Sequence, residues 1–167
     1  EASGWTGYGQ VGRHSEGGEV SVGSYQHWVG YQSEGGVGVR VGRFMPAYGV
    51  HFADHTAFNR EAMGFDKDDQ IYGVEVSRTG ERSLVQVAVG PGRAESIVDD
   101  DGRQAFMSSA RAQLDLTPRT VLVASGILRD ESDVQSRSGA AGLALGLAPS
   151  SRLTTWTQID AVATTRP

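Results

Sequence analysis

Along most of the chain, apolar and polar positions alternate with a period of two, the pattern of a strand with one face in an apolar environment. Over 36–44, Val37, Val39 and Val41 alternate with Gly38, Arg40 and Gly42. Over 71–78, Tyr72, Val74 and Val76 alternate with Gly73, Glu75 and Ser77; over 83–90, Val85, Val87 and Val89 alternate with Gln86, Ala88 and Gly90. Phe106, Ala110, Ala112, Leu114 and Leu116 interleave with Ser109, Arg111, Gln113 and Asp115 over 105–116. Leu143, Leu145 and Leu147 interleave with Gly142, Ala144 and Gly146 over 139–148. Weaker alternation predicts strands over 20–32, 120–129 and 152–163, with a further candidate over 5–14. Helical periodicity is nearly absent. Its best stretch, 53–63, has only Phe58 and Ala62 on one face, between Gly49 and Gly64.

About nine strands of roughly 9–13 residues result, against roughly five or six residues for a typical soluble strand and about 9–11 for a tilted membrane-spanning one. The connections after the first alternate short and long: 33–35, 46–69, 79–82, 91–103, 117–119, 130–138 and 149–151. An up-and-down barrel in an outer membrane sorts its turns this way, short on one rim and long on the other. The pattern therefore predicts an all-β protein: an up-and-down antiparallel transmembrane β-barrel, or a segment of a larger one. It forms a single domain over 1–167 with long loops at 46–69 and 92–103. In such a barrel the valine and leucine face points to lipid and the other face lines the lumen. The expected lumen-lining residues are Arg40, Glu75, Gln86, Arg111, Gln113 and Asp115, with glycines leaving room between them. Trp5, Tyr8, Tyr25, Trp28, Tyr31, Phe44, Tyr48, Tyr72 and Trp156 fall near strand ends, where interfacial girdles sit.

Composition narrows the classes. There are 23 glycines and no cysteine, so neither a disulfide framework nor a cysteine-ligated zinc site is available. The formal net charge of −5 argues against non-specific nucleic-acid binding. No apolar run approaches the roughly 20 residues of a spanning helix. His51 and His55, four apart beside Asp54, are weak candidates for a metal, because Pro46 and Gly49 suggest a loop there and no H-E-x-x-H motif is present. Asp66, Asp68 and Asp69, and then Asp99 to Asp101, lack the spacing of an EF-hand and read as solvated loop tips. No nucleophile elbow or cysteine nucleophile is found. No enzyme activity and no cofactor are expected.

At 41–65 the text runs V-G-R-F-M-P-A-Y-G-V-H-F-A-D-H-T-A-F-N-R-E-A-M-G-F. Its core, G-R-F-M-P-A-Y-G, resembles a strand-and-turn feature of outer-membrane porin-like barrels. These are the phosphate-selective-porin-like proteins and the barrels that partner multihaem cytochromes in electron conduits. The resemblance implies a bacterial outer-membrane location, the lipid bilayer as partner and a channel or scaffold passing small hydrophilic solutes. The alternatives are a barrel sheathing a partner such as a multihaem cytochrome, and a soluble secreted β-sandwich binding module. Bacterial barrels commonly end on an aromatic residue, whereas this chain ends at Pro167; with the odd strand count, a segment of a larger barrel is expected. The loop at 46–69 carries Phe52, Asp54, His55, Phe58, Arg60 and Phe65, and its aromatic content predicts a loop packed inward as a constriction or against a docked partner.

Overall fold

The computed structural model describes residues 3–16, 19–50, 70–92, 105–131 and 136–165. Its strands are β1 (Gly4–Glu16), β2 (Glu19–Gln32), β3 (Val37–Phe44), β4 (Ile71–Thr79), β5 (Ser83–Gly92), β6 (Ala105–Thr117), β7 (Thr120–Glu131), β8 (Ser136–Ser150) and β9 (Leu153–Thr165). They form one nine-stranded sheet in sequence order, with every neighbouring pair antiparallel. No helix occurs among the described residues. Among the described residues the sheet is not closed: β1 and β9 are its two edges.

Strand polarity sorts the connections onto two rims. One rim holds 33–36, 80–82, 118–119 and 151–152, all short; the other holds 17–18, 45–70, 93–104 and 132–135. The turn at 33–36 is closed by Gly36 N–H donating to the Ser33 carbonyl. At the next short turn, Gly80 N–H donates to the Ser83 carbonyl.

Register fixes the two faces. Val39 pairs with Val76, Val76 with Val87, and Val87 with Ala110. One row further, Val41, Val74 and Val89 are aligned. The eight valines from Val37 to Val89 on this face are 40–54% exposed, and Leu143 and Ile159 reach 60% and 75%. The opposite face is covered instead. Phe44, Tyr48, Ile71, Ala88, Met107, Ile127 and Ala140 form one buried cluster there, with Trp28 packed against it. Full burial of Phe44, Ile71, Met107 and Ile127 contributes about 1.5–3 kcal/mol each.

Part of that cover comes from the chain itself. After Phe44, residues 45–50 turn back across the sheet until Val50 N–H donates to Gln158 on β9. On a flat sheet Phe44 and Gln158 would lie roughly 40 Å apart, six strand spacings of ~4.8 Å across and about eight residues along. Six extended residues span at most ~22 Å. The sheet must therefore curl around residues 45–50, which makes the buried face concave and the valine face convex.

The aromatic residues divide between the faces. Trp5 lies against Tyr31 on the convex side, with ring centroids 5.2 Å apart. Tyr8 stacks on Trp28 at 5.7 Å on the concave side, where Phe44 and Tyr48 are also buried and Trp156 lies over Gly146. The expectation of interfacial girdles is corrected for these five. The strap formed by 45–50 and the curl of the sheet give Phe44 and Tyr48 an interior to fill, while Tyr8 on β1 stays 47% exposed.

Candidate functional site

The six polar residues expected on one face share the concave face and are joined into a single hydrogen-bonded chain across β3 to β6. Arg40 donates from Nη2 to Glu75 Oε2 at 2.7 Å. The other Glu75 oxygen accepts from Gln86 Nε2 at 3.2 Å. Gln86 Oε1 accepts from Arg111 Nη1 at 3.2 Å, and Arg111 Nη2 donates to Gln113 Oε1 at 2.9 Å. Gln113 Nε2 completes the chain on Asp115 Oδ1 at 3.3 Å. Cross-strand register places these partners together: Arg40 faces Glu75, and Gln86 faces Arg111. Glu75 is only 4% exposed, so two donors on its carboxylate offset a desolvation cost that would otherwise be large.

The strap is tied to this chain and to the far strands. Arg111 Nε donates to the Gly49 carbonyl at 3.0 Å, and Gly49 N–H donates to Ser125 Oγ at 3.0 Å on β7. Tyr48 Oη donates to Asp160 Oδ1 at 2.8 Å, while Gln158 Nε2 donates to both oxygens of the same carboxylate at 2.9 Å. Burial first, then the hydrogen bond to Asp160 and that group's charge, hold the Tyr48 hydroxyl well above the usual phenol range. Two glycines make the close approach feasible. Gly49 has a φ of 57°, the left-handed region, and a Cβ there would meet the Gln158 amide. A Cβ at Gly142 would run into the Asp160 carboxylate and crowd the Tyr48 hydroxyl.

Beside Arg40 the concave face opens into a pocket of about 170 Å³, whose walls include Trp28, Gly30, Gln32, Gly38, Glu75 and Ser77. The Arg40 guanidinium sits 4.2 Å from the Phe44 ring centre and 5.6 Å from that of Trp28, so the charged chain meets the apolar cluster at this residue.

Sequence reasoning did not single out Ser125, Gln158 or Asp160, and placed Gly142 on the lumen face without the close approach it permits. A signal was available for two of them, since Gln158 and Asp160 are two apart on one strand and so share a face. Phe52, Asp54, His55, Phe58, Arg60 and Phe65, and the metal candidates His51 and His55, lie outside the described residues, as do both acidic stretches. Among the described residues no cluster of three or more His, Asp or Glu is placed to hold a metal ion.

The segment G-R-F-M-P-A-Y-G, which carries the porin-like resemblance, is the one that leaves β3 and enters the concavity. Comparison with protein-family models, with curated proteins and with solved structures gives no match.

Proposed function

We infer that this sheet is the wall of a bacterial outer-membrane β-barrel, convex face to lipid and concave face to a lumen that small hydrophilic solutes cross. One observation carries the reading: polarity is inverted relative to a soluble sheet. Charged and amide side chains meet on the concave face, while the convex face presents continuous exposed valine and leucine. In water, so large an apolar surface calls for a covering layer. A β-sandwich would supply a second sheet, and the described strands all belong to one. In a bilayer the lipid itself covers that surface.

Three further features support the same reading. Most strands exceed soluble length, with β6 to β9 running 12–15 residues. Both long connections, 45–70 and 93–104, lie on one rim, and the other rim holds only short turns. At the long-connection end of the convex face, Arg43 lies over the Tyr72 ring at 5.8 Å and His27 packs on that ring at 5.5 Å. Such amphipathic groups suit the boundary between hydrocarbon and water.

Residues 45–50 then act as a constriction. They occupy the lumen, and the arginine and carboxylate groups around them present both signs of charge to a passing solute. Reconstitution into a planar bilayer tests this. Discrete conductance steps are expected, and Tyr48→Ala should enlarge them by releasing the strap from Asp160. Membrane-inserted protein with no conductance, in wild type and variant alike, would overturn the channel role in favour of a scaffold that sheathes a partner such as a multihaem cytochrome.

A further inference from the structure

The two free edges run in the same direction. In an antiparallel meander, odd-numbered strands are mutually parallel, so β1 and β9 point the same way. Direct closure would need a parallel β1–β9 seam, unlike the other eight pairings of the wall.

A second copy solves the problem no better. Two copies around an axis parallel to the strands bring β9 of one beside β1 of the other, again running the same way. Turning one copy over restores antiparallel pairing but puts its long connections on the opposite rim.

The edges themselves are built for pairing. A free edge in water is usually blunted by charges, proline or a bulge. Strand β9 has no proline, lysine or arginine, and its single charge, Asp160, is turned inward onto Tyr48 and Gln158. Its convex side carries Thr155, Thr157, Ile159 and Ala161 in line with β8. On β1, the stretch from Gly4 to Gln10 has no charge and no proline; the register shift comes only after it. Backbone N–H and C=O groups along an edge that no other described strand pairs with need partners in hydrocarbon.

The geometry points to an odd number of additional amphipathic strands, apolar outward and polar inward, filling the gap between β9 and β1 by antiparallel pairing on both edges. This rests on the membrane-barrel reading above. The completed wall has an even number of strands, and the partner is a β-segment distinct from these nine strands.

The absence of native cysteine makes cross-linking a clean test. Leu143→Cys with Ile159→Cys joins positions that face each other across β8 and β9, and serves as the control. Gly7→Cys with Ile159→Cys reports on contact between the edges, and Gly7 has open space for a side chain. Trp5→Cys and Gly9→Cys extend the scan to other registers. Each variant is oxidised in its native membranes, and carbonate extraction is run in parallel.

The control should form an intramolecular disulfide, and every edge pair should form at least about tenfold less, because a disulfide needs Cα atoms within ~7 Å. A photo-cross-linker at Thr157 should give an adduct with a segment other than β1 to β9. An edge disulfide within one molecule would show direct closure, and one between two molecules a two-copy barrel; either overturns the inference while leaving the membrane reading standing. Extraction of all the protein into the soluble fraction would instead overturn the membrane reading, and this inference with it.

Discussion

The concave face has two halves that solve the same packing problem differently. Towards the long-connection rim, Phe44, Ile71, Met107 and Ile127 fill the interior with apolar side chains. Towards the short-turn rim, Gln86, Arg111, Gln113 and Asp115 fill it with a hydrogen-bonded chain. The strap lies between them, its Tyr48 ring in the apolar cluster and its Gly49 carbonyl on Arg111. The apolar side chains of the first half have no hydrogen bonds to satisfy, so they can tolerate shape changes but not cavities, although buried Gln70, Ser109 and Arg129 lie among them. In the polar half, any deletion orphans a neighbour. The interior is therefore a small core joined to a polar band, and the strap needs both.

The largest separation between the halves should come from side-chain truncation. Met107 is fully buried, so Met107→Ala should cost about 2–5 kcal/mol in urea unfolding from detergent or lipid. Gln113→Ala should cost only about 0.5–1.5 kcal/mol. Equal costs would mean that the apolar half is not a core.

On the other side of the wall, Val87→Arg should hinder membrane assembly by about 2–4 kcal/mol if the site lies near mid-bilayer. Gln86→Arg, one residue away but facing inward, loses its bond from Arg111 yet should hinder assembly less than Val87→Arg, because no charge is moved into lipid.

Within the polar half, Glu75→Gln leaves Arg40 without its anion and should cost about 1–3 kcal/mol. Replacing both partners, Arg40→Met with Glu75→Leu, should recover part of that loss, because the desolvation of two charges disappears with them.

The smallest effect is at the strap. Tyr48→Phe removes one hydrogen bond to Asp160 and should cost about 1 kcal/mol. Because the Tyr48 hydroxyl is held above its unfolded value, its stabilisation is fully present below about pH 10 and is lost as pH rises beyond it. The urea midpoint of wild type should therefore fall from pH 9 to pH 11 more than that of Tyr48→Phe.

Strand number, order of faces and sorting of connections were legible in the sequence, because period two survives in valine-rich strands such as β3, β4 and β5. The interior was legible only in part. Arg40, Glu75, Gln86, Arg111, Gln113 and Asp115 stood out as polar residues in alternating runs. Ile71 and Met107 did not, and Phe44 was read as a girdle aromatic, because all three sit on the polar face near strand ends, where only the strap turns an exposed position into a core. The ties from Tyr48 to Asp160 and from Val50 to Gln158 span more than a hundred residues, and no local pattern encodes such a contact. Beyond the face shared by Gln158 and Asp160, their trace was the pair of glycines, Gly49 and Gly142, whose reason emerges only when the segment they accommodate is in place.

The central claim is that the convex face meets lipid and the concave face meets water. Spin labels placed singly at Ser77, Val85, Gln86, Val87 and Val89 in membrane-embedded protein test it most directly, by collision with oxygen, which partitions into lipid, and with a water-soluble nickel chelate. The account expects Val85, Val87 and Val89 on β5 to favour oxygen, and Gln86 with its β4 neighbour Ser77 to favour nickel, so that access alternates residue by residue over 85–87. Nickel access at all five positions, or alternation in the opposite phase, would contradict it.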